Sequence, residues 1–344
     1  MASNLVGLLD GDIKVVMDPE PGGAPSPLRT SVEAWAAYEE GATHHLVLQD
    51  DIAPSTDLLS VARSAAVRFP RSAVAFYTNW DAPDGAAVRM GALAGAGWVS
   101  AIDEIYTPTL ALMLPVEHAA RFSEEASPLV STRREDDAVM LDYLQRHHVP
   151  VLLAIPNLIE HEGRESIAGN SSERWRSACR HSNSDRPGSG VLTGFDAVPY
   201  YREGTAYALL LDTESADRPV WRRRHWRDAE GVFGVDAAQV DAGWHEWSAC
   251  DPTLQRLQRL IDLSAVRELW NVAYLLGAAS SRLRNRGWTP VEHIRSAALN
   301  TLGVGGLIPV AKWHDLHEAQ PLLHRLAVAG ADHGASALAD APAR

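Results

Sequence analysis

The sequence predicts an α/β protein in which a mostly parallel sheet is flanked by helices and is followed by a mainly helical C-terminal domain. Three observations lead to this fold class. Between residues 13 and 155, short apolar runs alternate with longer segments of helical spacing, which is typical of a parallel sheet with helical crossovers. Glycine, serine and charged residues dominate residues 163–190, which indicates a domain boundary. Beyond this boundary the apolar residues recur mostly at helical spacing.

The N-terminal elements follow from the length and period of each apolar run. Runs too short for helices predict buried strands, at residues 13–17, 45–48, 73–77, 109–114 and 149–155. Apolar residues spaced by three or four positions predict helices, one from Ser31 and others over 56–68, 116–122 and 136–147. Pro54 and Pro156 should end regular strand pairing, because proline has no backbone N–H to donate.

The same criteria predict short strands at residues 206–211 and 231–235 and helices over 254–263, 266–284, 289–302 and 316–329. Thr289 is the predicted N-cap of the third of these helices. The basic run 221–227 is interpreted as a solvated loop, with a grip on a phosphorylated or acidic acceptor as the alternative. The predicted domains are residues 1–180 and 190–335. The second has three open roles: capping the acceptor side, binding a carrier, or forming an oligomer through its helices.

Composition and charge exclude several classes of protein. With 344 residues, of which 46% are hydrophobic, the chain can bury an ordinary core. Its formal net charge of −13 lacks the basic footprint of a nucleic-acid-binding protein. Cys179 and Cys250 are too far apart in sequence for a zinc motif and predict unpaired thiols. No segment resembles a signal peptide or a membrane-spanning helix, so we expect a cytoplasmic protein without a membrane span.

The first candidate site lies at the end of the second predicted strand, where Gln49-Asp50-Asp51 follows the apolar run 45–48. Two ionised carboxylates crowded at a strand end repel each other unless a cation lies between them. Mg²⁺ and Mn²⁺ prefer oxygen ligands and often join carboxylates to substrate phosphates. Asp50 and Asp51 are therefore candidate metal and diphosphate ligands. The alternative is a loop that starts with two solvated acids.

Two further segments carry candidate site residues. Glu135-Asp136-Asp137 opens a predicted helix, and the alternative to a catalytic role is that acids there interact favourably with the helix dipole. His161 follows the turn after the last N-terminal strand, with glycine and serine beyond it. An imidazole at such a turn can be a nitrogen ligand to the same cation, whereas a lone histidine more often lies on the surface or fills the core.

These three segments, in this order, resemble the GT-A class of nucleotide-sugar glycosyltransferases. The resemblance consists of an apolar strand into Gln49-Asp50-Asp51, the acidic helix start Glu135-Asp136-Asp137, and a strand into Pro156-Asn157-Leu158-Ile159-Glu160-His161. The last segment is similar to the Pro-Ser-Leu-x-x-His-x-Gly segment of several GT-A families, with Gly163, Ser166 and Gly169-Asn170 beyond it. The resemblance covers residues 12–170 and implies a GT-A-like, Rossmann-related sheet.

The resemblance implies roles for the metal-site residues. Asp51 matches the last acid of the family's Asp-x-Asp motif, a direct metal ligand, and Asp50 matches the acid beside it, which faces the ribose or the metal. Gln49 stands where many members carry an acid. His161 matches a late ligand of the metal or the diphosphate. The implied cofactor is Mn²⁺ or Mg²⁺, and the implied donor substrate is a nucleoside-diphosphate sugar.

Four other residues gain roles from the same resemblance. Asp137, and next to it Asp136, match the acid near the acceptor hydroxyl and would act as the catalytic base of an inverting enzyme. Asp18, at the end of the first predicted strand, would hold the uracil or ribose, and Arg29 would contact the diphosphate. The implied activity is metal-dependent transfer of a sugar to a hydroxyl acceptor, and the choice between inversion and retention stays open.

The chain departs from the GT-A pattern near its N terminus. GT-A domains normally open with a strand and a helix before the strand that here ends at Asp18, and only residues 1–11 precede that strand. Either this first strand is missing or the recorded start lies downstream of the true one. Two alternatives to a glycosyltransferase follow. One is a non-catalytic scaffold that binds a partner, and the other is a sugar nucleotidyltransferase, whose Gly-rich loop after the first strand is not visible here.

Overall fold

The computed structural model describes residues 2–9, 11, 13–102, 107–133, 135–162, 176–180, 186, 188–214, 219–284 and 287–339. The chain divides into two compact units, the first comprising Met1–Thr78 and Ile105–Ser177 and the second comprising Asn79–Glu104 and Ala178–Arg344. The first unit ends near the predicted boundary at residue 180, but residues 79–104 belong to the second unit. No glycine- or serine-rich linker flanks this segment, so composition does not mark the two points at which the chain passes from one unit to the other.

Strands and helices alternate through the first unit, and helices dominate the second. The strands are β1 (His44–Leu48), β2 (Ile52–Pro54), β3 (Ala73–Ala75), β4 (Trp98–Ser100), β5 (Ala111–Pro115), β6 (Val151–Ala154), β7 (Ile159–His161), β8 (Val191–Leu192), β9 (Ala197–Arg202), β10 (Thr205–Asp212) and β11 (Val220–His225). The helices are α1 (Ala2–Leu8), α2 (Pro27–Ala36), α3 (Leu58–Arg68), α4 (Pro83–Ala94), α5 (Val116–Ala126), α6 (Asp136–Arg146), α7 (Ala237–Cys250), α8 (Thr253–Leu257), α9 (Leu263–Leu283), α10 (Glu292–Leu307) and α11 (Trp313–Ala339).

The first unit is built on a sheet in which β1, β5, β3 and β6 are neighbours in that order. The strands β3, β5 and β6 are buried along their whole length, whereas the edge strand β1 is half-buried. Helix α5 packs against α2, β1 and β5. Leu28, Trp35 and Phe122 are buried on these two helices, and Trp35 and Phe122 meet edge to face with ring centroids 6.2 Å apart.

The sheet of the first unit is mixed, whereas the sequence predicted a mostly parallel sheet. β5 is antiparallel to both β1 and β3, and β3 is parallel to β6. A buried strand carries an apolar run in either direction, so the sequence pattern does not record strand polarity. The coarser prediction of an α/β protein is confirmed.

The predicted strand at residues 13–17 is not formed, which is a second correction. The backbone of residues 13–18 is irregular, and Val15 and Met17 are 44% and 74% exposed. A strand is stabilised by pairing and by burial of alternate side chains, and in the described part of the chain this segment gains neither. The other N-terminal strands and the helices predicted at 56–68, 116–122 and 136–147 are confirmed, with ends shifted by a few residues.

The second unit contains a helix, α4, that is buried on every side. It packs against α9, α10 and β9. β9, β10 and β11 form an antiparallel sheet, and β4 is parallel to β8. α4 was not predicted from the sequence, because a helix buried on every side has no polar face and therefore no amphipathic period.

Glycines allow the two longest helices of the second unit, α9 and α11, to pack with their backbones close together. A Cβ on Gly277 would collide with the carbonyl of Ala331, and a Cβ on Gly334 would collide with the carbonyl of Tyr274. These contacts need the absence of a side chain at both positions.

Three local predictions in the C-terminal half are wrong. Residues 231–235 form a turn rather than a strand, with Gly231 and Gly234 at positive φ. The basic run predicted as a loop lies largely in β11, paired with β10. Helix α10 has its N-cap at Val291 rather than at Thr289. The two strand errors arise because a segment becomes a strand or a turn according to whether a neighbouring strand pairs with it, which local pattern does not record.

Two expectations from composition can be compared with the described residues. Among the described residues, Cys179 and Cys250 form no disulfide, as predicted, and the first is buried whereas the second is exposed. Within the described helices, none has both the length and the apolar content that crossing a membrane requires.

Candidate functional site

The β2–β7 ribbon brings Asp51 and His161 together from distant parts of the sequence. His161 is opposite Ile52, and just beyond the ladder the carbonyl of Asp51 accepts the N–H of Glu162 at 2.8 Å. Asp51 Oδ2 lies 3.2 Å from His161 Nε2. The His161 side chain is 3% exposed and that of Asp51 is 27% exposed. The pair therefore combines a buried imidazole with a carboxylate that solvent can reach.

This pair has the donor chemistry of a divalent cation site. Asp51 Oδ1 is buried and accepts no hydrogen bond from the described residues, which is a costly state for a carboxylate oxygen. Adjacent ligands of an octahedral ion at about 2.1 Å lie about 3.0 Å apart, close to the 3.2 Å between Asp51 Oδ2 and His161 Nε2. Carboxylates suit Mg²⁺ and Mn²⁺, and an imidazole favours a transition ion, so the two residues fit Mn²⁺ better than Mg²⁺.

The protein supplies only part of a coordination shell here. Among the residues that the structure describes, no group of three or more His, Cys, Asp or Glu could hold a metal ion. Asp50 is exposed in the turn between β1 and β2. Hard divalent ions often bind through one or two carboxylates together with water and substrate phosphates. The pair therefore suits a cation that shares its ligands with a phosphate group.

A hydrogen-bonded chain links Asp136 to the strand end that carries the acidic pair. Gln49 Nε2 donates to Thr109 Oγ1 at 3.3 Å, and the Thr109 hydroxyl hydrogen-bonds the Asp136 carboxylate. The backbone N–H of Gln49 also donates to the carbonyl of Leu110 at 3.0 Å. Asp136 is thus tied through Thr109 to the residue two positions before Asp51.

The two acids at the start of α6 have different surroundings. Burial, and then the charge of Asp137, raises the pKa of Asp136 to about 6. Burial also raises the pKa of Asp137, but its Oδ1 accepts the N–H of Ala138 at 2.7 Å, within its own helix turn. Asp136 has a pKa close to neutral pH and is linked through Thr109 to Gln49, two residues before Asp51. It therefore has the properties of a general base.

Asp18 and Arg29 bind each other. Arg29 Nε and Nη2 donate to the two oxygens of Asp18, both at 2.7 Å, and Nη2 also approaches the carbonyls of Glu20 and Ala24 at 3.1 and 3.2 Å. The hydrogen bond from Arg29 lowers the pKa of Asp18 to about 2. Both oxygens of Asp18 and most of the guanidinium donors are thus used to close the loop between them.

Several residues around His161 were not predicted as site residues. Glu160 accepts both the N–H and the hydroxyl of Ser177, at 2.7 and 2.9 Å, and Arg176 Nη1 donates to the carbonyl of His161 over a long 3.5 Å. Arg176 and Ser177 both lie within the polar stretch 163–190 that was interpreted as a boundary, and no local pattern distinguishes them from their neighbours. The motif residues Gly163, Ser166, Gly169 and Asn170 lie outside the described residues.

A shallow pocket lies elsewhere on the first unit. It is lined by Glu125, Leu129, Val139, Asp142 and Arg146. None of these is a predicted site residue.

Comparison of the chain with protein-family models, with curated proteins and with solved structures found no match.

Proposed function

We propose that this protein is a metal-dependent glycosyltransferase that moves a sugar from a nucleoside-diphosphate donor to a hydroxyl acceptor. The observation that carries the proposal is the 3.2 Å approach of Asp51 Oδ2 to His161 Nε2. The proposal draws further support from the unsatisfied Oδ1 of Asp51 and from the chain that ties Asp136 to the same strand end. These three features come from the three segments that resemble GT-A enzymes.

In this proposal Asp51 and His161 would hold Mn²⁺ or Mg²⁺, and Asp50 would face the ribose from the exposed turn beside them. The ion, when bound, neutralises negative charge on the departing nucleoside diphosphate. Asp136 would accept the proton of the acceptor hydroxyl as that oxygen attacks the sugar, with Thr109 holding its carboxylate. Asp137 would support Asp136 by its charge rather than take the proton itself.

The same proposal gives Asp18 and Arg29 a supporting role. Because Arg29 donates to both carboxylate oxygens of Asp18, we propose that the two residues fix the loop before α2. Contacts to the nucleoside or its diphosphate would then come from other residues. Arg29 is 13% exposed and Asp18 is 28% exposed. Opening this pair to bind substrate would break two short charge-assisted hydrogen bonds.

A thermal-shift assay with UDP, GDP, ADP and CDP, with and without MnCl₂, tests the proposal. At least one nucleotide should raise the melting temperature only when Mn²⁺ is present, because a ligand that binds the folded state alone raises apparent stability. Asp51→Asn and His161→Ala should abolish this shift. Glu40→Gln and His148→Asn remove an exposed acid and an exposed imidazole from the same unit, and they should keep it. A shift that survives loss of either Asp51 or His161 would contradict the proposed site.

One observation favours a second candidate, a non-catalytic scaffold of the same shape. The segment expected to form the strand before Asp18 is irregular and exposed at Val15 and Met17, so the part of the fold that would hold the nucleoside is incomplete in the described structure. A scaffold predicts no metal-dependent shift with any of the four nucleotides. The same assay therefore decides between the two candidates.

A further inference from the structure

The edge strand β11 of the second unit has an exposed, basic outer side. It pairs with β10 on one side, and no strand of the described structure pairs with its other side. It packs mainly against β10 and the short helical turn Trp226–Ala229 that follows it. An edge strand leaves a row of backbone N–H and C=O groups without ladder partners. Because Arg222, Arg223 and Arg224 are exposed on this strand, positive charge flanks that row.

These three arginines differ in how their guanidinium groups are engaged. Arg222 Nε donates to Asp212 Oδ2 at 2.7 Å, so a carboxylate already compensates its charge. Arg223 lies over the ring of Tyr207, with its guanidinium carbon 4.9 Å from the ring centroid, and this contact leaves the N–H donors at the guanidinium edge unused. Arg224 makes no hydrogen bond, ion pair or ring contact with the described residues.

The two uncompensated arginines lie on opposite faces of the sheet. Arg223 is opposite Leu209 and Arg224 is opposite Ala208 in the β10–β11 ladder, and successive residues of a strand point to opposite faces. A chain that paired with the outer side of β11 would therefore meet a guanidinium on each face.

Charge decides which occupant fits this edge. Residues 222–227 hold four arginines and one histidine, in a chain whose formal net charge is −13. Pairing of β11 with a second copy of itself would bring arginine beside arginine, and like charges on neighbouring strands are destabilising. Nucleic acid would use the guanidinium groups but not the backbone edge, and the acidic chain would repel it. A strand that carries carboxylates would gain opposite-charge pairs on both faces.

We infer that the outer side of β11 binds an extended, acidic segment of a partner polypeptide, which adds to the three-stranded sheet as a further strand. Backbone hydrogen bonds supply the affinity, as in other cases of strand addition. Arg223 and Arg224 supply the selectivity, because the paired donors of a guanidinium match the two oxygens of a carboxylate. This interaction surface goes beyond the proposed function and does not depend on it.

Fluorescence anisotropy of a labelled peptide of alternating glutamate and threonine, slightly longer than β11, tests the inference on the full chain. The wild-type protein should bind it, and more weakly at high ionic strength, because salt screens exposed charges. Arg223→Glu combined with Arg224→Glu should raise the Kd about 10-fold or more, since attractive cross-strand pairs become repulsive. Arg256→Glu combined with Arg259→Glu makes the same charge change at two exposed arginines elsewhere in the second unit and should leave the Kd nearly unchanged.

A second peptide and amide hydrogen exchange distinguish strand addition from attraction between charges alone. A peptide of alternating glutamate and proline has the same charge but cannot extend a β-ladder, because proline lacks the N–H donor, and it should bind more weakly. Binding of the glutamate–threonine peptide should slow exchange of the backbone amides of residues 220–225, and the control variant should show the same protection.

Several results would overturn the inference. These are no binding of the glutamate–threonine peptide, equal binding by the Arg223 and Arg224 double variant, or equal binding of the proline-containing peptide. Tighter binding of single-stranded DNA of the same charge would assign the surface to nucleic acid, and self-association that protects residues 220–225 without peptide would assign it to a second copy. Far-UV circular dichroism checks that the double variant is folded. If it is not, Arg223→Gln combined with Arg224→Gln decides the question.

Discussion

Replacing Asp136 by asparagine should stabilise the protein at neutral pH. The carboxyl lies at the start of α6, where burial and then the charge of Asp137 raise its pKa to about 6. At pH 7.5 the native protein must keep this group ionised in a poorly hydrated position. Asparagine has nearly the same shape, can still accept the hydroxyl of Thr109, and carries no charge.

The magnitude and sign of the effect follow from proton linkage. A carboxyl whose pKa rises from 3.8 in the unfolded chain to about 6 in the folded protein costs about 3 kcal/mol once it is ionised in both states. Between these two values the native state binds more protons than the unfolded state, so the stability of the wild-type protein falls as pH rises from about 4 to about 6. Asparagine accepts a weaker hydrogen bond from Thr109 than the carboxylate does, which removes about 1 kcal/mol of this gain in stability. The net gain for Asp136→Asn is about 2 kcal/mol at pH 7.5.

Urea denaturation followed by circular dichroism from pH 4 to pH 8 measures this gain. The difference between Asp136→Asn and wild type should be small at pH 4, grow up to pH 6 and remain constant above it. Asp142→Asn, which removes an exposed acid from the same helix, controls for the loss of one negative charge. If Asp136→Asn is no more stable than wild type at pH 7.5, or if the difference does not change with pH, the argument that Asp136 is a desolvated base is refuted.

Two further predictions concern the rest of the fold. Gly277→Ala should destabilise the second unit by about 3 kcal/mol or more, because the new Cβ would collide with the carbonyl of Ala331. Gly188→Ala is the control, since a Cβ there meets nothing within 4 Å, and it should be nearly neutral in the same urea titration. Equal stability of the two variants would contradict the close packing of α9 against α11. Asp18→Asn should lower stability at pH 7. Because Arg29 lowers the pKa of Asp18 to about 2 in the folded state, the stability that Asp18 contributes should be lost as pH falls from about 4 to about 2. A difference from wild type that stays constant over that range in acid unfolding would argue against the Asp18–Arg29 pair.

Local pattern predicted those elements whose apolar residues form a short run or recur at helical spacing. β1 contains the short apolar run 46–48 and α6 carries apolar residues at helical spacing, and both were predicted within one or two residues. α4 was missed because alanine, glycine and buried polar residues alternate without a polar face. Residues 13–17 show the converse failure, since an apolar run becomes a strand only when a neighbour pairs with it.

The candidate site was only partly predictable for a related reason. The approach of Asp51 to His161 depends on the register of β2 against β7, which no local pattern records, and only the order of the three motif segments suggested it. The role of Thr109 depends on a side chain that joins Gln49 to Asp136 across three separate segments. Arg176 lies within the stretch 163–190, which is rich in glycine, serine and charged residues. Composition there indicates polarity but not which residue contacts β7.

The central claim is that Asp51 and His161 share one divalent ion. Electron spin-echo modulation of Mn²⁺ bound in the presence of pyrophosphate tests it most directly, because pyrophosphate contains no nitrogen and any ¹⁴N coupling must come from the protein. The wild-type protein and His148→Asn should both show the coupling of one imidazole nitrogen, and His161→Ala should lose it. Bound Mn²⁺ without nitrogen coupling in the wild-type protein, or coupling that persists in His161→Ala, would contradict the shared site.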